Sequence, residues 1–201
     1  MIEEIATPFG LARAHVTSPA DPRALLVLGH GAGGGIGARD LVAAATVAQE
    51  EGFAVALVEQ PYRVAGRRSA APAHQLDTAW SASVAALSAG PLGDRPLVVG
   101  GRSSGARVAC RTAKDVGASA VLCLAFPLQP PGGKRPDRLA ELASVKVPVL
   151  VVQGERDPFG IPPAARRRRI VIVPGDHALR ATAEVAAAVR AWLRRIRLPD
   201  R

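Results

Sequence analysis

Aromatic residues, cysteines and long hydrophobic runs are scarce in this chain of 201 residues, and each scarcity excludes a class of protein. Aromatic residues make up 3% of the sequence, which is too little for a surface that stacks nucleic-acid bases. Cys110 and Cys123 lie in no CxxC motif or Cys/His cluster, so we expect two buried thiols rather than a disulfide scaffold or a metal site. The longest uncharged stretch, residues 116–133, is interrupted by glycine and proline and cannot form a membrane span.

A recognisable signal peptide is also missing. The chain starts with Met1-Ile2-Glu3-Glu4, which is acidic where a secretory signal is basic, and no apolar segment follows. The sequence therefore predicts a cytoplasmic protein that does not contact the membrane.

Positive charge, in contrast, is abundant. Lys and Arg number 26 against 17 Asp and Glu, which gives a net charge of +9. A basic chain can bind nucleic acid, and the four arginines at positions 166–169 form the densest cluster. However, arginine far outnumbers lysine, and alanine, glycine and proline are also frequent, a pattern typical of a GC-rich genome. We therefore expect the cluster to be a solvated loop or helix face, with nucleic-acid binding as a minor alternative.

Six short segments are apolar at nearly every position, which is typical of strands covered by helices on both faces. They are residues 24–29, 54–59, 97–101, 120–126, 147–153 and 170–174. Residues 2–17 predict one or two more strands around a Pro8-Phe9-Gly10 turn. Helical patterns lie between these segments, at residues 40–51, 75–88, 105–116, 137–143 and 182–196.

This alternation predicts the α/β class, with a mostly parallel sheet and helices on both faces. The sequence contains no internal repeat and no long linker, so residues 1–201 are expected to form a single domain. The segment rich in proline and glycine at residues 127–136 is interpreted as a surface loop.

Ser103 lies in a Gly-Arg-Ser-Ser-Gly segment between a predicted strand and a predicted helix. In that context G-x-S-x-G indicates a nucleophile elbow, a sharp turn that exposes the serine hydroxyl and requires glycine on either side. The backbone N–H of Ser104 would then point toward a developing oxyanion. The alternative is a glycine-rich turn without chemistry.

A second glycine-rich loop, HGAGGG, follows the predicted strand 24–29. Its small residues expose backbone N–H groups that can bind an anion, and His30 is expected to brace the loop through hydrogen bonds. The loop lacks the P-loop pattern. The spacing from Gly29 to Gly34 does match G-x-G-x-x-G, so a dinucleotide site stays open at this point.

A serine nucleophile needs a base, and the base needs a group that orients it. His177 follows the last predicted strand, where open α/β sheets place their sites, whereas His15 and His74 are expected to be structural. Asp157 follows the strand before it and is the predicted orienting acid, with Glu155 and Asp176 as competitors. The order Ser103, Asp157, His177 is that of a hydrolase triad.

The segments LVLGHGAGGG, VGGRSSGARVA, VQGERDPFG and VPGDHAL together resemble the α/β-hydrolase fold superfamily over nearly the whole chain. The sequence is most similar to small, cap-less, dienelactone-hydrolase-like bacterial proteins. EQPYR at residues 59–63 and AFPL at residues 125–128 resemble a branch of predicted hydrolases that is also similar to a domain of a eukaryotic chromatin-complex subunit. The resemblance implies a triad of Ser103, Asp157 and His177, with an oxyanion hole from the N–H groups of Ala32 and Ser104.

The chain departs from dienelactone hydrolases proper, which carry cysteine where this chain has a serine. The stretch after Phe126 is too short for a folded cap domain, so we expect an open, shallow site. Tyr62, Phe126 and Leu128 are predicted as its walls and Arg63 as a further substrate-binding residue. Arg63, Arg67, Arg68 and Arg102 could favour an acidic substrate, or they could be ordinary surface arginines.

From these features we predict a serine hydrolase that cleaves small ester or thioester substrates through an acyl-enzyme intermediate, without cofactor or metal. One alternative is a non-catalytic α/β-hydrolase-like interaction module, and another is nucleic-acid binding through the cluster at positions 166–169. For the oligomeric state, the sequence leaves a homodimer as one alternative.

Overall fold

Eight strands and six helices make up most of the chain that the computed structural model describes, which is residues 1–130, 132 and 137–199. The strands are β1 (Ile2–Thr7), β2 (Gly10–Thr17), β3 (Ala24–Gly29), β4 (Phe53–Glu59), β5 (Leu97–Arg102), β6 (Ala120–Leu124), β7 (Val149–Gly154) and β8 (Arg168–Val173). The helices are α1 (Arg39–Glu50), α2 (Pro61–Val64), α3 (Ala73–Ala89), α4 (Ser104–Thr112), α5 (Leu139–Ser144) and α6 (Thr182–Leu193).

All eight strands form one sheet in the order β1-β2-β4-β3-β5-β6-β7-β8. The six strands from β3 to β8 run parallel to one another, whereas β1 and β2 form an antiparallel hairpin in which β2 pairs with β4 in antiparallel orientation. The chain moves from β3 outward to β4, returns past β3 to β5, and then continues to the opposite edge. The strand order therefore reverses between β3 and β5, where open α/β sheets place their binding sites.

Helices cover both faces of the sheet. On one face α3, α4 and α5 bury residues such as Trp80, Ala109 and Leu142 against the sheet. On the other face α1 and α6 bury Leu41 and Val185. Successive residues of β3 alternate between the two cores, which explains why its sequence is apolar at every position.

The predicted architecture is confirmed, and each of the six apolar segments overlaps a strand. The interpretation of positions 166–169 as a loop or helix face was wrong in part, because Arg168 and Arg169 begin the edge strand β8. Arg168 is buried, and its Nε donates a hydrogen bond to the Pro163 carbonyl at 2.8 Å. The short helix α2 was not predicted. Part of the loop predicted at residues 127–136 lies outside the described residues.

Both cysteines lie in the core beneath the elbow, Cys110 on α4 and Cys123 on β6. Their sulfurs are 3.5 Å apart, in hydrogen-bond contact, and do not form a disulfide. The contact with Cys110 and burial together raise the pKa of the Cys123 thiol well above its ordinary value.

Candidate active site

Four loops meet at the carboxyl edge of the parallel strands. Ala32 follows β3, Ser103 follows β5, Asp157 follows β7 and His177 follows β8. Since the carboxyl ends of parallel strands lie at one edge of a sheet, the topology brings these four residues to the same side of the molecule.

Ser103 forms the sharp turn between β5 and α4. Its backbone has φ 52° and ψ −108°, a conformation that residues other than glycine rarely adopt and that costs about 1–3 kcal/mol. A Cβ atom at Gly101 or at Gly105 would lie 2.4 Å from the Gly29 carbonyl oxygen. Neither position can therefore carry a side chain, which is the steric reason for the G-x-S-x-G spacing.

Ser103, His177 and Asp157 form a continuous hydrogen-bonded chain. Nε2 of His177 lies 2.9 Å from Oγ of Ser103, and Nδ1 lies 2.8 Å from Oδ2 of Asp157. A carboxylate only accepts hydrogen bonds, so Nδ1 carries the ring proton and Nε2 is left to accept from the serine hydroxyl. The structure thus brings together the three residues that the sequence predicts as a triad.

Asp157 is fixed from several directions, and its side chain is fully buried. Its Oδ2 also accepts from Nε2 of Gln153 at 2.8 Å, and its Oδ1 accepts the Phe159 N–H at 2.9 Å. The competing acid Asp176 accepts instead the N–H of Ala178 in its own turn, and this hydrogen bond lowers the pKa of Asp176. The other competitor, an exposed glutamate at position 155, pairs with the neighbouring arginine.

Gln153 and Phe159 also belong to the site, although no sequence motif indicates them. The Gln153 amide is buried at the end of β7 and donates to the Phe126 and Gly160 carbonyls as well as to Asp157. The Phe159 ring meets the His177 imidazole edge to face, with 4.6 Å between ring centroids. A polar residue within an otherwise apolar strand was the available signal for Gln153.

The predicted oxyanion donors lie beside Ser103. Ala32 and Ser104 line the same cleft as Ser103 and His177. Neither of the two backbone N–H groups donates to an acceptor in the described part of the chain. Both amides are therefore free to bind a negatively charged oxygen.

His30 and Tyr62 hold the glycine-rich loop in place. The buried His30 ring donates from Nδ1 to the Gly31 carbonyl at 2.8 Å and accepts the Gln60 N–H at Nε2, at 3.1 Å. Burial lowers the pKa of His30, which favours this neutral form. The Tyr62 hydroxyl donates to the Ala32 carbonyl at 2.9 Å. The expectation that His30 braces the loop is confirmed.

The remaining two histidines lie away from the site. His15 pairs with Glu59 at 3.1 Å, and the His74 ring contacts the Phe9 ring edge to face.

Arg102, within the elbow, bridges three elements. Its Nε lies 3.0 Å from Oδ2 of Asp40, and its guanidinium donates to the His177 carbonyl at 3.0 Å. The approach to Asp40 is an ion-pair contact without an aligned hydrogen bond. Burial raises the pKa of the Asp40 carboxyl, while the Arg102 cation opposes that shift. Arg102 is thus a structural link between the elbow, α1 and the histidine loop.

The cleft above Ser103 has a volume of about 1000 Å³. None of the four predicted substrate-binding residues lines it. Phe126 and Leu128 are buried in the core, and Tyr62 is buried beneath the glycine-rich loop. Arg63 donates to the Arg67 carbonyl outside the cleft. The position of these residues in the sequence did not reveal whether their side chains point into the cleft or away from it.

Arginines line much of this cleft instead. They are Arg39, Arg102, Arg107, Arg111, Arg138 and Arg180. Arg102 is the one member of this set that lies within the G-x-S-x-G motif and is among the arginines named above for an acidic substrate. Several of the others come from distant parts of the chain. Only the fold brings them together.

Within residues 1–130, 132 and 137–199, no group of three or more His, Cys, Asp or Glu side chains is arranged to hold a metal ion. No helix formed by these residues has the length and apolar character needed to cross a membrane.

Comparisons with known proteins agree with this architecture. The family model described as an alpha/beta hydrolase domain matches residues 22–188. A search of curated proteins finds no match.

Many solved structures resemble the chain, and the three described below share 16–17% of its sequence. An alpha-beta serine hydrolase homologue from Coxiella burnetii has a TM-score of 0.81 and 17% identity, over 96% of this chain and 97% of its own. XC6422 from Xanthomonas campestris, described as an a/b serine hydrolase without lid, has a TM-score of 0.72 and 17% identity, over 100% and 96%. A dienelactone hydrolase from Anabaena variabilis has a TM-score of 0.73 and 16% identity, over 96% and 94%.

Proposed function

Because the chain belongs to the alpha/beta hydrolase domain family, we propose that it is a serine hydrolase that cleaves small ester or thioester substrates. The observation that carries this proposal is the hydrogen-bonded chain from Asp157 through His177 to Ser103, with distances of 2.8 and 2.9 Å, at a strained elbow. The fold alone would not support a proposal of hydrolase activity, because one fold hosts many functions.

In the first half of the proposed reaction, Ser103 Oγ attacks the substrate carbonyl carbon while Nε2 of His177 takes the hydroxyl proton. Asp157 holds the ring tautomer and stabilises the imidazolium that forms. The N–H groups of Ala32 and Ser104 bind the oxyanion of the tetrahedral intermediate. His177 then returns the proton to the leaving alcohol or thiol as its bond to carbon breaks, leaving an acyl group on Ser103.

In the second half, water attacks the acyl carbon and gives a proton to Nε2 of His177. The bond between the acyl carbon and Ser103 Oγ breaks, and the proton returns to the serine. The free acid leaves the cleft.

The edge-to-face contact between Phe159 and His177 supports this assignment. The ring limits the rotation of the imidazole, so that Nε2 stays directed at Ser103. The buried Gln153 likewise restrains the Asp157 carboxylate, through the hydrogen bond that it donates to Oδ2.

The proposal includes residues 1–201 as one domain, supported by the single eight-stranded sheet. It also includes a cytoplasmic location, supported by two core thiols that are close together and unlinked.

Turnover of 4-nitrophenyl acetate, 4-nitrophenyl butyrate and a butyryl thioester tests the proposal. We expect Ser103→Ala to lower kcat by at least about a thousandfold. Ser18→Ala is the matched control, because Ser18 is an exposed serine in the loop before β3, and it should retain wild-type turnover. Equal activity in Ser103→Ala and wild type would contradict the proposal.

A further inference from the structure

The charge on the walls of the Ser103 cleft is strongly unbalanced. Six arginines line the cleft, and among its described lining residues Asp40 is the one carboxylate. The chain is rich in arginine throughout, so number alone means little. The informative feature is which of these guanidinium groups already have partners.

Four of the six are engaged by the protein. Arg107 forms two hydrogen bonds to Glu141, at 2.9 and 2.6 Å. Arg111 forms two to Asp77, at 2.8 and 2.6 Å. Arg102 is paired with Asp40, and the remaining member, at position 138, donates to the Pro127 carbonyl. These side chains form a wall whose donors are largely used.

The other two, Arg39 and Arg180, are exposed and face no such partner. Within the described residues no carboxylate lies within 4.0 Å of either guanidinium group. Arg39 is the first residue of α1, and Arg180 follows His177 by three positions. Arg180 also contributes, after the Ala178 N–H, to the lowered pKa of Asp176. Arg39 at the start of α1 and Arg180 in the segment between β8 and α6 both line the Ser103 cleft.

We propose that this cleft takes esters that carry a second, anionic group, a carboxylate or a phosphate, which Arg39 and Arg180 bind while the ester carbonyl lies at Ser103. The proposal rests on the proposed serine hydrolase function and names its substrate class. A guanidinium group presents paired donors that match carboxylate and phosphate oxygens. Both side chains are solvated until the ligand arrives, so binding an anion does not require breaking an internal ion pair.

The whole-chain charge acts in the same direction. A chain with a net charge of +9 attracts anions, and a concave site lined by arginines focuses that field and raises the local concentration of anions. Because both guanidinium groups are exposed, salt should weaken the attraction. Salt sensitivity therefore separates this anion selection from a preference that is only due to shape.

Two matched ester pairs test the proposal. The first pair is the 4-nitrophenyl ester of adipic acid with its distal carboxyl group free or methylated, which places the charge on the acyl side. The second is 4-acetoxybenzoate and its methyl ester, which places the charge on the leaving alcohol. Each rate is divided by the alkaline hydrolysis rate of the same ester. We expect kcat/KM to favour the anionic member by at least about tenfold in one pair, with the excess falling as ionic strength rises.

Arg39→Gln and Arg180→Gln should each lower this anionic-to-neutral ratio by about threefold to tenfold, the range for an exposed charge-assisted contact. Arg169→Gln is the matched control, because it removes one charge from an exposed arginine of β8 outside the cleft, and its ratio should equal that of the wild type. A wild-type ratio near one in both pairs, or a ratio that neither cleft variant changes, overturns the proposal.

Failure of the substrate class can be told apart from failure of the hydrolase assignment. Hydrolysis of both members of each pair without charge preference would retain the hydrolase and reject the anion site. If no ester is hydrolysed, calorimetric titration of the Ser103→Ala protein with monomethyl adipate decides. Binding that is weakened by Arg39→Gln supports the anion site, and no binding rejects it.

Discussion

Two glycine-rich turns border the candidate site, and they use glycine for opposite reasons. At the elbow, a Cβ on Gly101 or Gly105 would lie 2.4 Å from the backbone oxygen of Gly29. In the loop after β3, a Cβ on Gly33 or Gly34 would meet nothing within 4 Å. The elbow is therefore glycine-rich because backbone segments touch, whereas the loop is glycine-rich where the chain is open to the cleft. The two turns thus have similar compositions, although the elbow is closely packed and the loop after β3 is open.

The largest effect in this comparison is expected for Gly105→Ala. The added methyl group would force β3 and α4 apart beneath Ser103, and close contacts with backbone cannot be relieved by side-chain rotation. We expect a loss of about 3 kcal/mol or more in the free energy of unfolding, and loss of turnover. Urea unfolding followed by circular dichroism measures the first.

Gly34→Ala is the matched control for that variant, because it adds the same methyl group where there is open space. We expect a change in the free energy of unfolding within about 0.5 kcal/mol. Equal destabilisation by the two variants would show that the elbow and the loop do not differ in this way.

A smaller effect is expected where Arg102 joins the two turns. Its guanidinium would lie 2.9 Å from a Cβ on Gly31, and it donates to the His177 carbonyl. Arg102→Met removes that charged donor and leaves Asp40 without its cation. We expect kcat to fall by about tenfold to a hundredfold, because a hydrogen bond from a charged group contributes about 1.5–3 kcal/mol.

Arg102→Lys separates positioning from charge in this test. Lysine retains the cation beside Asp40 but lacks the planar donor that reaches His177. If the hydrogen bond from Arg102 to the His177 carbonyl positions the histidine loop, kcat should fall in both variants. If compensation of the Asp40 charge is what matters, kcat should fall only in Arg102→Met. Wild-type kcat in Arg102→Met would show that Arg102 does not position the histidine loop.

The fold could be read from the sequence because its signals are local. Apolar segments bounded by glycine and proline gave the strands, and β3 begins and ends where predicted. The proximity of Ser103, Asp157 and His177 could also be predicted, because each follows a strand and the sheet topology brings strand ends together.

The walls of the cleft could not be read in the same way. Phe126 and Leu128 follow β6 in sequence, yet their side chains enter the core, while Pro127 between them lines the cleft. Arg39 and Arg180 lie far apart in the chain and come to line the same cleft only in the folded protein. Direction of a side chain in an irregular loop depends on tertiary contacts that a single sequence does not encode locally.

The smallest effect concerns His30, which anchors the open loop. Its pKa is lowered by burial in the folded chain, so the unfolded chain binds a proton at higher pH than the folded one. Stability from this group is therefore present above about pH 6.5 and is lost as pH falls below it. Between pH 7.5 and 5.5 the wild type should lose more unfolding free energy than His30→Asn, by at most about 1.4 kcal/mol. Equal losses in both proteins would show that His30 is not held neutral.

The central claim is that Asp157 and His177 activate Ser103, and covalent labelling tests it without knowledge of the substrate. Purified wild type, Ser103→Ala and Asp157→Asn would each be treated with a fluorophosphonate and mapped by peptide mass spectrometry. We predict one adduct on Ser103 in wild type, none in Ser103→Ala, and labelling slowed by at least about a hundredfold in Asp157→Asn. An unlabelled wild type, or an adduct on another residue, would contradict it.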